Sequence, residues 1–320
     1  MKTQKFNRGI RFLLVAGLTI LMAAGCTKLD SSATATTANT SITQVLKSSI
    51  NAMVFYQGLV LTGLDSVLAG PGPFTVFIPS DSAFSSVGIN ATALAGFARD
   101  SLRSLLLYHT IAGQSLTTAS FPFGSSKVIV ANGDSVFVSH HVDGLFVNGL
   151  AITQPDIYAS NGTLQAIAQQ PLVPPPGNLL TLIQADTNFL YLAAALARTS
   201  AGSTDVQALV SGAAPLTMMA PNNAAFRAQG YNMISDFNNA NPDSLAMILL
   251  DHLIPYRLFI CDIVQGQPIN TLASSPLTFL TQTSKFQIKS KGSSVYSTVL
   301  SANHMGRNGV LFTIDQLLMP

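Results

Sequence analysis

The chain has 320 residues, 48% of them apolar and only 9% charged, with 16 Lys and Arg against 14 acidic side chains. Four of the basic residues, Lys2, Lys5, Arg8 and Arg11, head the chain, so without that leader the balance is 12 against 14 and the basic surface that nucleic-acid binding requires is missing. Every acidic residue is Asp; Glu and Trp are absent, which removes many general acid/base schemes and leaves Ser, Thr, Asn, Gln and Gly to cover most of the surface.

The basic head leads into an apolar run of 13 residues, Phe12 to Ala24, which suits a signal peptide and falls short of the ~20 residues of a spanning helix. Ala23-Ala24-Gly25-Cys26 then resembles a bacterial lipobox, although Ala23 stands where Leu is usual. The resemblance implies a lipoprotein signal peptide over 1–25 and lipidation at Cys26. Ordinary secretory cleavage near Ala24 and an uncleaved anchor are the alternatives. Thr27 in place of an inner-membrane-retaining Asp implies an outer membrane lipoprotein, on the cell surface or the periplasmic face. Residues 26–40 are small and polar and read as a flexible tether. With Cys26 lipidated, Cys261 is the only thiol left, so no intramolecular disulfide is expected; its apolar setting, LFICDIV, predicts a small core residue.

A first domain is expected over 41–173. Apolar spacing predicts a helix from Ile42 to Leu61. FTVFIP (74–79) predicts a buried strand stopped by Pro79, followed by a helix capped by Ser80 or Asp81 with Phe84 facing inward. An amphipathic helix over 97–109 ends in Tyr108-His109. KVIVA (127–131), SVFVSHHV (135–142) and LFVNG (145–149) read as strands, with hairpin turns at Asn132-Gly133 and Asp143-Gly144. Pro174-Pro175-Pro176-Gly177 forms a stiff linker over 174–177, spanning ~10 Å at about 3.1 Å per residue.

A second domain is expected over 178–320, because the same boxes return in the same order. TVFIPSDSAF (75–84) is answered by TMMAPNNAAF (217–226), SLRSLLLYH (101–109) by SLAMILLDH (244–252), and NGTLQAIAQQPLVP (161–174) by NGVLFTIDQLLMP (308–320). Helices are expected over Leu179–Leu196 and 242–252, a cap at Asn222 or Asn223, and strands at 277–282, 285–290 and 295–301. Helices and strands without regular βαβ alternation argue an α+β fold.

These boxes resemble the signature boxes of fasciclin domains, twice over and across nearly all of 41–320. The resemblance implies two tandem domains, each a wedge-shaped β-sandwich of about seven strands with packed helices. The residues that carry it, as family scaffold, are Thr75, Pro79, Phe84, Asn161 and Gly162 in the first repeat, and Thr217, Pro221, Phe226, Asn308, Gly309 and Asp315 in the second. Gln165 and Phe312 stand where the family often has His, and Ala168 where it often has Asp. The VNG before the closing box (147–149) is matched to TVL in the second repeat. Matrix proteins of the family use the Tyr-His region in receptor contact, so the resemblance implies partner-binding candidates at Tyr108, His109, Asp156 and Ile157, with His252 the second-repeat counterpart. Five Asp-Ser-apolar triplets, beginning at Asp65, Asp81, Asp100, Asp134 and Asp243, resemble the O-glycosylation signal of exported Bacteroidota proteins; Asp-Ser is also an ordinary turn and cap pair.

No G-x-S-x-G elbow, H-E-x-x-H, paired C-x-x-C or phosphate loop occurs. His109 and His252 occupy matching helix ends and read first as structural. His140, His141 and Asp143 lie close together, but adjacent strand residues face opposite ways, so no metal site is expected, and no cofactor. His304 has no visible partner. The function these features imply is non-enzymatic: a lipid-anchored envelope protein that adheres to matrix, polysaccharide or a surface protein. A periplasmic structural or assembly factor is the alternative, and a hydrolase the third reading.

Overall fold

The structure, a computed structural model, describes residues 39–282 and 285–319. The leader, Cys26 and most of the tether lie outside the described residues. The first domain runs through helices α1 (Ile42–Ser48), α2 (Met53–Thr62) and α3 (Leu64–Ala69), strand β1 (Phe74–Pro79), helices α4 (Asp81–Ser86), α5 (Ala91–Leu94) and α6 (Arg99–Tyr108), and strands β2 (Thr110–Ala112), β3 (Gly124–Ile129), β4 (Ser135–His141), β5 (Gly144–Val147), β6 (Leu150–Ala159) and β7 (Gly162–Ile167). The second repeats the plan: α7 (Leu179–Ala185), α8 (Leu190–Thr199), α9 (Val206–Ser211), β8 (Leu216–Pro221), α10 (Asn223–Ala228), α11 (Pro242–Leu250), β9 (Leu253–Ile254), β10 (Pro268–Asn270), β11 (Pro276–Gln282), β12 (Lys285–Ser290), β13 (Ser297–Gly306) and β14 (Gly309–Ile314).

Strand order is β2-β1-β7-β6-β5-β4-β3 in one sheet and β10-β11-β12-β13-β14-β8-β9 in the other, the same seven-stranded sheet built twice. The long closing hairpin carries the bend. β6 slips register against β7 between Ile152 and Ile157, and β13 does so against β14 between Val299 and His304. The bulged residues Asp156 and Asn303 have positive φ, 58° and 63°. Bulges of this kind sharpen strand curvature, and here they let one continuous sheet fold over into the two halves of the expected sandwich.

β1 divides two cores. Val76 and Ile78 face the helices with Phe55, Leu59, Phe84 and Leu102, while Phe77 faces the other half of the sheet with Tyr108, Val138 and Val147. Phe84 and Phe226 are 1% and 0% exposed, each contributing up to about 3 kcal/mol by burial.

The helix expected over Ile42–Leu61 is broken. α1 stops at Ser48 with Ser49 extended, and α2 restarts at Met53. Its counterpart over Leu179–Leu196 is broken at Asp186, whose side chain caps a 3-10 turn at Thr187–Phe189. The capping residues explain the break. Ser80 and Asn222 cap α4 and α10 by accepting from Ala83 N and Ala225 N. The next residue reaches back instead: Asp81 accepts from Val54 N (2.8 Å) and Met53 N (3.3 Å), and Asn223 accepts from Tyr191 N (3.1 Å). Each box therefore starts one helix and fixes the start of another. Asp81→Ala is expected to destabilise the first domain by about 1 kcal/mol, the ordinary loss of an N-cap; urea unfolding followed by circular dichroism would show it.

Strand equivalence also corrects one sequence match. Val299 lies opposite Ile314 as Ile152 lies opposite Ile167, and Ile288 pairs with Ser297 as Val147 pairs with Leu150, so the counterpart of Val147 is Ile288, and Thr298-Val299-Leu300 lies on β13 beyond the connection that replaces Asn148-Gly149. A two-residue turn in the first domain is thus a six-residue connection, Lys291 to Tyr296, in the second.

Candidate functional site

The residues singled out from the sequence fall into two groups, scaffold and junction. Apart from Asp315, whose first-domain counterpart is Ala168, the polar members of the scaffold group make the same hydrogen bonds in both copies. Thr75 Oγ1 donates to Gln114 O and accepts from Leu116 N; Thr217 Oγ1 donates to Tyr256 O and accepts from Leu258 N. Asn161 accepts from Ile42 N and donates to Leu68 O and Gly70 O; Asn308 accepts from Leu179 N and donates to Val210 O and Gly212 O. Gly162 and Gly309 follow because a Cβ there would collide with the carbonyl oxygens of Phe74 and Leu216. Asp315 accepts from Thr298 N (2.6 Å), tying β13 to the segment that follows β14.

His109 and His252 belong to this group as well. Both are 0% exposed. Nδ1 lies 2.8 Å from the carbonyl of Leu105 or Ile248, and Nε2 accepts from Leu172 N or Leu318 N at 2.9 Å. These partners require Nδ1–H and a bare Nε2. Burial pushes both imidazoles down to about 4, so they are neutral staples between a helix end and the chain after the closing strand.

Tyr108 is also 0% exposed; its hydroxyl donates to Ser135 O and accepts from Asn148 Nδ2, and burial pushes the phenol up to about 12. Tyr108, His109 and His252 therefore offer no surface to a partner, in place of the contact role implied by resemblance. Asp156 is partly buried, accepting from Thr118 N and bracketed by Gln165, which donates to its carboxylate and accepts from its backbone N–H. Ile157 packs on the helical core. Asn303, the counterpart of Asp156, accepts from Ile260 N.

The junction group was not legible as a group. Asp134, Phe137 and His141 of the first domain meet Arg257, Asp262 and Arg307 of the second. Arg257 lies 4.0 Å over the Phe137 ring and donates to Arg307 O. Phe137 packs into the second domain's core beside Phe259, ring centres 6.2 Å apart. Arg307 Nε is 3.4 Å from Asp134, and His141 Nε2 is 2.9 Å from Asp262 Oδ1. Two of the clefts along this seam are lined by these charged residues. One, of about 460 Å³, is lined by Lys127, Asp134, Phe137, Arg257, Arg307 and the linker's Pro175. The other, of about 430 Å³, is lined by His141, Arg257 and Asp262 among others.

His304, without a partner in the sequence, sits on β13 with Nε2 2.9 Å from Ser301 Oγ. It lines a cleft that also contains Asp186 and Asn222. Cys261 is only partly buried, and burial together with Asp262 pushes its thiol up, which disfavours a thiolate nucleophile.

Residues 51–174 and 192–320 each match the fasciclin domain family, and the chain belongs to that family as a tandem pair. Among similar proteins are the pig transforming growth factor-beta-induced protein ig-h3, 26% identical over 258 residues that cover 79% of this chain and 35% of that protein, and mouse stabilin-2, 26% identical over 267 residues that cover 79% and 10%. The Synechocystis protein sll1483 is 29% identical over 119 residues, 37% of this chain and 62% of that one. This chain thus spans about a third or less of the animal relatives it matches. A solved fasciclin domain pair from the insect cell adhesion molecule fasciclin I aligns over 84% of this chain and 97% of its own, with 17% identity and a TM-score of 0.41.

Proposed function

We propose that this chain is a non-enzymatic adhesion module, tethered to the outer membrane by lipid on Cys26, that binds an anionic polysaccharide of the matrix or a cell surface along the seam between its two domains. The observation that carries the reading is the charge of the larger cleft: Lys127, Arg257 and Arg307 against the single carboxylate of Asp134, on a chain that is slightly acidic without its leader. Arg257 is already oriented by Phe137 and by Arg307 O, and Lys127 and the Arg307 side chain remain exposed at the rim. Adhesion is the general role of fasciclin-domain proteins that this proposal extends.

Arrays of acidic and neutral polysaccharides provide the test. Acidic polymers are expected to bind, with affinity falling as salt rises, and Lys127→Ala with Arg307→Ala to weaken binding at least tenfold without unfolding the protein. Equal binding of neutral and acidic polymers, or unchanged binding by the double variant, would overturn the assignment. The lipid tether is checked separately: Cys26→Ser is expected to move the protein from the membrane to the soluble fraction.

A further inference from the structure

We propose that His141, Cys261 and Asp262 form a Zn²⁺ site that pins the two fasciclin domains together. His141 ends β4 of the first domain. Cys261 and Asp262 lie on the 3-10 turn Ile260–Asp262 of the second. The three donor atoms, an imidazole nitrogen, a thiol sulfur and a carboxylate oxygen, all lie within 4.8 Å of one another. His141 Nε2 is 2.9 Å and Cys261 Sγ 3.6 Å from Asp262 Oδ1. Tetrahedral zinc, with bonds of about 2.0–2.3 Å, holds its ligands about 3.3–3.8 Å apart, so His141 and Asp262 have to part slightly and no pair has to close by more than about 1.5 Å. Mixed nitrogen, sulfur and oxygen donors favour zinc over calcium or magnesium, which take oxygen alone.

The surroundings are those of a held site. The other oxygen of Asp262 accepts from Phe259 N at 3.0 Å, fixing the carboxylate, and the His141 ring rests edge-on against Phe146. Asn303 on the bulge of β13 accepts from Ile260 N and anchors the turn. Ser139, on β4 and 0% exposed, has a buried hydroxyl with no hydrogen-bond partner. His141 and Asp262 line the smaller cleft, which gives the ion an entry path and room for a water as fourth ligand. Arg257, the cation lining the same cleft, is engaged by the Phe137 ring and Arg307 O.

The equivalent turn of the first domain, Thr118–Ser120, has Ala119 and Ser120 where the second has Cys261 and Asp262. Ser120 still caps its turn there, as Asp262 does here, so capping does not require the carboxylate. Of the two turns, the one with the thiol and the carboxylate is the one that meets His141. Binding exchanges the thiol proton for the metal: Cys261 releases one proton to solvent, neutral His141 donates its lone pair, and Zn²⁺ with one thiolate and one carboxylate is neutral overall.

The test uses the full chain in detergent with Cys26→Ser, so that Cys261 is the only thiol, and Co²⁺ and Zn²⁺ alone as probes. One Co²⁺ per chain is expected, with a thiolate-to-cobalt charge-transfer band that Zn²⁺ displaces, and Zn²⁺ is expected to raise the thermal midpoint. Adding His141→Gln, at a partly exposed strand end, should weaken binding at least tenfold while the metal-free midpoint stays near its parent's; Cys261→Ser should abolish the band. Absence of the band with Cys261 intact, or undiminished affinity in His141→Gln, would overturn the site. Should Cys261→Ser fail to fold, the His141→Gln comparison decides alone.

Discussion

Acidification from pH 7 to pH 4 is expected to remove about 3 kcal/mol of folding stability from each domain through one residue apiece, His109 and His252. In the unfolded chain these imidazoles titrate near 6.5; folded, they are held down to about 4. A folded value below the unfolded one means that the unfolded state binds protons first. The contribution is therefore complete above 6.5, falls as the pH drops toward 4, and is gone below it. Between those limits each histidine tilts stability by about 1.4 kcal/mol per pH unit. The cause is local: Nε2 must accept from Leu172 N or Leu318 N, and a proton placed there sets one N–H against another inside the core. Urea midpoints at pH 7, 6, 5 and 4 measure the slope. His252→Phe should lower stability at pH 7 yet flatten the acid limb of the second domain alone. Parallel pH profiles for this variant and its parent would refute the assignment.

Replacing Asn308 with Ala should be nearly as damaging, at about 3 kcal/mol. Three backbone groups, Leu179 N, Val210 O and Gly212 O, depend on this one amide, which is 6% exposed. Each buried group left unpaired costs about 1 kcal/mol or more. For a domain of this size the loss corresponds to roughly 10 °C in thermal midpoint. Asn308→Asp is not a rescue, since it keeps the acceptor, loses both donors and buries a charge. Asn161→Ala breaks the matching bonds to Ile42, Leu68 and Gly70 and should act in the same direction, less strongly because Asn161 is only partly buried. A loss below about 1 kcal/mol at Asn308 would mean that water satisfies these groups and that the amide is no staple.

Both predictions concern residues that the sequence marks through repetition. Thr75 with Thr217, Asn161 with Asn308 and His109 with His252 recur because the backbone groups they satisfy recur, and each bonds to chain whose path the same boxes set. The capping pairs were half legible. That Ser80 and Asn222 cap α4 and α10 follows from position, but that Asp81 and Asn223 reach α2 and α8 does not. The partners lie 27 and 32 residues away, and only the folded helices bring them near. The same long-range bonds explain why a continuous run of helical spacing breaks at 49–52. Periodicity records which face is buried, not whether the axis bends.

The junction was the least legible part. His141 and Asp262 are separated by 121 residues, and neither lies in a repeated box. Tyr108 and Asp251 differ between the copies yet sit in the interior, so unlike residues at matching positions do not by themselves mark a binding surface. By itself the sequence determined the duplicated α+β domain, its strand-proline-cap boxes and its repeated buried staples, because local spacing and recurring backbone needs leave a pattern along the chain. Only the tertiary structure decided what meets across the seam: Arg257 over Phe137, and His141 against Cys261 and Asp262. Those contacts depend on how two finished sheets pack, which leaves no periodicity to read.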